Sequence, residues 1–167
     1  MSFTSKFDLR AAANRYGVEP IGVDQASAAF TVVADNGDGT VRITATAHGK
    51  KKNQCVTIAT GPYAGTYRIV KVTDANHLDI TAVFSSTTTG TLLSTGYLDG
   101  FGFFVKKAIT ISAFTPEDPS TNSAAVIANI YNVGDQVNIP FSLIVLSAGD
   151  IEVVRKPIRA KLTYTNR

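Results

Sequence analysis

His48, His77 and Cys55 are the residues of this chain best suited to bond-making chemistry, and their surroundings argue against that use. A metal site or a base pair needs a second ligand at close spacing, as in H-x-x-x-H, and neither histidine has one. His48 stands beside Gly49 in a turn sequence and His77 just before a strand, so both read as turn or cap residues. Cys55 would act as a nucleophile only with a histidine close in space and a depressed pKa. Next to Val56 it reads as a small buried hydrophobe. Serines are frequent, but no Gly-x-Ser-x-Gly elbow presents one. A protein without enzymatic activity, metal or cofactor is expected.

Three further stretches carry polar chemistry. Asp35-Asn-Gly-Asp-Gly39 opens like a calcium loop, but its later ligand positions run through Val41 and Ile43 and no Glu closes it, which favours a hairpin turn. Gly100-Phe-Gly102 lacks the Gly-Lys-Ser/Thr and the helix of a phosphate loop. Lys50, Lys51 and Lys52 form a basic run, joined by Arg42 or Lys71 if the neighbouring hairpins pack together. They suit a phosphate backbone, an acidic subunit surface or a solvated loop tip. No stacking aromatics stand beside them, so no specific nucleic-acid partner is expected.

Strands must position these residues. Phe30–Ala34 and Thr40–Thr46 alternate about the Asp35–Gly39 turn and read as a hairpin. Val56–Ala59 and Thr66–Val72 flank Gly61-Pro-Tyr-Ala-Gly65, and Leu78–Phe84 and Thr91–Leu93 complete a central β module over residues 30–95. Residues 1–29 form an N-terminal arm and connector. Ser5 and Asp8 resemble a capping box, Leu9, Ala12, Ala13 and Tyr16 share a helical face, and Gly17 is a stop signal. The thin stripe leaves two readings: the helix docks on its own domain, or Leu9 and Tyr16 reach a neighbouring subunit. Val18–Gln25, with Pro20, reads as extended connector.

Residues 96–167 form a C-terminal β region, with Ser94–Gly102 as its boundary because three glycines there mark turns or close backbone approach. Phe101, Phe103, Phe104 and Tyr97 are the densest aromatic cluster, either the floor of a shared core or a patch covered on assembly. Val105–Phe114 and Ile139–Leu146 read as strands, Ala124–Tyr131 as strand or short helix, and the loop with Pro116, Glu117 and Asp118 as an exposed contact for a partner. Ile158, Ala160, Leu162 and Tyr164 alternate with Arg159, Lys161, Thr163 and Thr165, as in a strand with one buried side, either in its own sheet or donated to a neighbour's.

The fold class expected is all-β, an antiparallel sandwich or barrel with a short N-terminal helical or extended arm. Charged residues are only 17% and hydrophobic ones 44%, a balance suited to surface hidden in an assembly. A net charge of +3 names no nucleic-acid partner. A lone cysteine excludes an intrachain disulfide and fits a reducing cytoplasm. The N-terminus lacks a signal-peptide pattern, and no apolar run approaches the ~20 residues of a membrane span.

The central stretch carries a family likeness in Gly37-Asp-Gly-Thr-Val-Arg-Ile-Thr44, Ala47-His-Gly49, Val56-Thr-Ile58, Gly61-Pro-Tyr-Ala-Gly-Thr-Tyr67, Asn76-His-Leu-Asp-Ile80, Phe84 and Thr89-Gly-Thr91. It resembles a small all-β module in virion proteins of tailed bacteriophages. Lys50–Cys55 departs from the pattern, which usually has Gly-Asp there. The resemblance implies a structural protein of a phage particle, a capsid decoration or cement protein first and a tail or baseplate component second. Its partners would be the major capsid protein or other virion subunits, with homo-oligomers in the particle. A third reading, a carbohydrate-binding module on a receptor-binding protein, would draw on Tyr63, Tyr67 and Tyr97.

Overall fold

A computed structural model of the chain describes residues 8–157 and has the expected all-β architecture. The chain opens with α1 (Leu9–Tyr16) and β1 (Val18–Gly22). Asp8 caps the helix by accepting hydrogen bonds from the Arg10 and Ala11 amides at 2.9 and 3.2 Å, and Gly17 ends it. The helix is therefore eight residues long; Ser5 lies outside the described residues.

The six strands β2 (Ala28–Asp35), β3 (Thr40–Thr44), β4 (Cys55–Ile58), β5 (Gly65–Asp74), β6 (His77–Thr81) and β7 (Thr89–Leu93) close into an antiparallel barrel in the order β2-β3-β6-β5-β4-β7. Closure leaves no strand edge unpaired. Phe30, Val32, Val41, Ile43, Val56, Ile69, Leu78, Ile80 and Leu92 fill the interior. The β2–β3 turn uses its acids locally: Asp35 accepts from the Gly37 amide at 2.9 Å and Asp38 from the Thr40 amide at 3.0 Å. Tyr63 is buried in the same core, and its hydroxyl accepts from the Ser85 and Ser86 amides while donating to the Ser86 carbonyl. That fastens the segment after β6, which leaves the strand at Thr81, ahead of Phe84.

The rest of the chain forms a second sheet from β8 (Gly96–Pro116), β9 (Gln136–Val137) and β10 (Phe141–Arg155), in the order β1-β10-β8-β9, with α2 (Ser123–Ala128) beside it. Residue numbers fall along β8 as they rise along β10, from Phe141 opposite Pro116 to Arg155 opposite Gly100. Phe141–Val145 also pairs with Gly100–Gly96, so β8 curls until its beginning meets the other edge of β10. Two glycines make this curl sterically accessible. At Gly149 the backbone has φ 76° and an added Cβ would lie 2.1 Å from the Ala108 carbonyl; at Gly100 it would lie 2.3 Å from the Phe141 ring. The enclosed core sets a chain of aromatic contacts among aliphatic side chains, with Phe141 5.6 Å from Phe114 and 6.4 Å from Phe103 between ring centroids.

Several expectations change here. At Ser94–Gly102 only Ser94 and Thr95 separate β7 of the barrel from β8 of the second sheet, and of the two uses open to its three glycines, turn or close backbone approach, β8 takes the close approach. The extended connector is β1, paired with β10 from Val18 opposite Val154 to Gly22 opposite Asp150. Phe103 is fully buried in the sheet core, and Leu9 is fully buried against Val154 on the sheet's outer face, so neither offers a contact to a partner. The described part of the arm docks on its own chain. Ala124–Tyr131 resolves as α2 followed by a bridge from Tyr131 to Ile109. The alternating stretch Ile158–Thr165 lies outside the described residues.

Candidate functional site

Where the barrel abuts the sheet, Lys51, Lys52, Arg68, Arg155 and Lys156 meet in a cleft of about 270 Å³, walled by Tyr16 and Tyr97. Backbone order places each cation. Lys51–Gln54 is a tight turn in which the Lys51 amide donates to Gln54 Oε1 at 2.8 Å and Asn53 adopts φ 72°, a left-handed value that asparagine tolerates. The turn is docked on β5 by bonds from the Asn53 amide to the Ile69 carbonyl and from the Ile69 amide to the Gln54 carbonyl. Arg68 donates to the Asn53 and Leu98 carbonyls at 3.0 and 2.7 Å and lies 5.8 Å from the Tyr97 ring centroid. Arg155 is tied by its amide to the Gly17 carbonyl at 3.1 Å. Lys156 sits 5.5 Å from the Phe101 ring, which itself packs 5.6 Å from Tyr16.

Acids answer part of this charge. Asp99 is 3.5 Å from Arg68, Glu19 is 3.5 Å from Arg155, and Glu117 pairs with Lys156. Lys51 and Lys52 are exposed and have no acidic partner among the described residues. Among the described residues the buried Arg155 Nε has no hydrogen-bond acceptor, and Glu19 Oε2, though in the ion pair, receives no hydrogen bond. Burial pushes the Glu19 carboxyl above its ordinary value, while Arg155 and a hydrogen bond from the Cys55 amide pull it back.

The lysine run divides. Lys50 turns inward, donating to the Ala26 carbonyl at 3.0 Å and to Ser94; burial pushes its pKa down against the pull of Glu19. The expected companions Arg42 and Lys71 are not at the cleft: Arg42 forks onto the buried Asp79 with contacts of 3.0 and 3.3 Å, and Lys71 does not line it. Tyr16, Lys51, Lys52, Phe101 and Glu117 do converge, all around Lys156. Of the neighbours of Glu117, Pro116 is the half-buried last residue of β8, and Asp118 lies on the exposed loop that follows, where it accepts from the Ser120 amide at 2.9 Å.

Arg68, Arg155 and Lys156 were not legible as site residues. Arg155-Lys156 is a short charge pair at the end of an apolar run, and only the partners of β10 bring it beside the lysine turn. His48 Nδ1 accepts from the Lys50 amide at 2.9 Å, and His77 pairs with Asp74, both local roles. Burial pushes the Cys55 thiol up to about 11, which keeps it protonated near neutrality. Of the tyrosines offered for sugar stacking, Tyr63 and Tyr97 are buried and Tyr67 is half-buried.

A second surface feature lies on the segment from α2 to β9. Ile130 and Val133 are 82% and 68% exposed, and Ile127, in α2, is 36% exposed. The segment is held from beneath: Val126 and Tyr131 are buried, the Tyr131 hydroxyl donates to the Val126 carbonyl at 2.8 Å, and Asp135 accepts from the Asn132 amide at 2.7 Å.

Comparison with protein-family models, with curated proteins and with solved structures finds no match.

Proposed function

We propose that this chain is a non-enzymatic structural subunit of a tailed-phage particle, a capsid decoration or cement protein that binds the head lattice, with a tail or baseplate component as the second reading. The observation that carries a docking role is the ridge of Ile127, Ile130 and Val133. Single exposed aliphatics are ordinary on protein surfaces, but three within seven residues on a fastened segment form a prepared apolar contact. Covering such residues favours a shape-complementary partner surface. The turn and core residues that resemble the phage virion module supply the particle as the setting.

The test is sedimentation with separated heads and tails, preceded by light scattering to fix the mass of the free protein. Retention on DNA-filled heads, lost in Ile130→Asp/Val133→Asp while its circular dichroism is unchanged, is the expected result. Partition with tails moves the chain to the second reading. Failure to travel with either particle overturns both.

A further inference from the structure

The basic cleft has the charge and size of a receptor for carboxylates, and we propose that it receives one or two acidic side chains from a segment of a neighbouring subunit. The proposal rests on the structural-subunit reading above and names a contact distinct from the apolar ridge. Its five cations come from three separate parts of the chain and are brought together only by the fold. Among the described residues Asp99, Glu19 and Glu117 stand against them, which leaves a surplus of two positive charges. The surplus sits on Lys51 and Lys52, whose backbone is fixed in advance by the turn docked on β5. A fixed turn lowers the ordering cost of a charged contact.

That surplus decides between occupants. Duplex DNA carries a charge about every 1.7 Å along its axis, far more than two positive charges answer, and one or two carboxylates match it. A single strand would also ask for open aromatic faces, whereas Tyr97 is buried and Tyr16 lies against Phe101. Residues 158–167, which follow the cleft, contain Arg159, Lys161 and Arg167 and no Asp or Glu, so they add positive charge rather than acids. The occupant proposed is therefore the acidic segment of a neighbouring subunit.

Titrating the isolated full chain with hexaglutamate, oligothymidylate and inorganic phosphate, with amide shifts mapped by NMR, tests this without particles. The expected result is single-site hexaglutamate binding, with shifts at Lys51–Gln54 and Arg155–Lys156. It should weaken about tenfold or more in Lys51→Glu/Lys52→Glu, a change at two exposed residues, and persist in Ile130→Asp/Val133→Asp. Absent hexaglutamate binding, or equal binding by the lysine variant, overturns the proposal. Tighter binding of oligothymidylate replaces the acidic segment with nucleic acid, and equal occupancy by phosphate reduces the cleft to a simple anion site; either outcome refutes it. The sedimentation test of the ridge remains independently decisive for the particle reading.

Discussion

The barrel and the curled sheet bury their cores by opposite means. The barrel interior is mostly aliphatic, its strands are short, and three of its six pairings join strands consecutive in sequence. The sheet is built from two strands of 21 and 15 residues around Phe103, Phe114, Phe141 and Tyr131, with β1 added from the other end of the chain. A closed ring of short strands tolerates small changes because each side chain fills a modest share of the core. A core whose aliphatic residues surround contacting rings such as Phe103, Phe114 and Phe141 concentrates more of its packing in those few large side chains, and a void at one of them cannot be filled by small shifts.

The sharpest way to break this contrast is Phe141→Ala. Phe141 is fully buried, touches two other rings and sits against Gly100, where a ring fits only because no Cβ intervenes. Its loss should cost about 3–5 kcal/mol in urea denaturation. Region-resolved hydrogen exchange should show β8 and β10 opening before the barrel strands. Equal acceleration in both regions would mean that the two cores unfold as one unit, and the contrast would then be one of packing alone.

The same difference explains what could be read from the sequence. Barrel strands announce themselves through alternation and through turns such as Asp35–Gly39, whose acids bond the adjacent amides. These are signals written within a few residues of where they act. β1 and the second half of β10 carry no such signal, because Pro20, Gly22 and Gly149 read as breakers until their partners are known. Gly96, Gly100 and Gly102 illustrate the ambiguity: close approach and turn use the same residue, and only Phe141 and its neighbours decide. The cleft was half legible. Lys51 and Lys52 stand out as a run, whereas Arg68, Arg155 and Lys156 join them through long-range pairing.

On the barrel side the matching probe is Arg42→Ala. Asp79 is 3% exposed and is held by the Arg42 fork across the β3–β6 pair. Removing the cation leaves a carboxylate with little water around it. Because Arg42 itself is partly solvated, the expected loss of stability is measurable but below that of a fully buried pair. Arg42→Ala should accelerate exchange in β3 and β6 first, the reverse of the Phe141 pattern. If β8 and β10 respond equally, the barrel does not hold its stability apart from the sheet.

The smallest expected effect falls at the junction, where Glu19 on β1 meets Arg155 on β10 and the Cys55 amide of β4, with Arg68 and Lys50 also acting on it. Burial, the largest influence, raises the folded carboxyl above the ordinary 4.5. Between those two values the folded chain holds a proton that the unfolded chain has released. Stability therefore declines as pH rises through that window and is recovered as pH falls back toward 4.5. The lowered acids Asp24, Asp38, Asp74 and Asp118 act in the opposite sense, with their contribution present above 3.8 and lost as pH falls through their depressed folded values. The two windows do not overlap. In urea titrations across this range, Glu19→Gln should flatten the decline above 4.5 and leave the acid limb unchanged. An unchanged decline would show that water reaches Glu19, and that the barrel and sheet meet across a wetter junction than their two dry cores suggest.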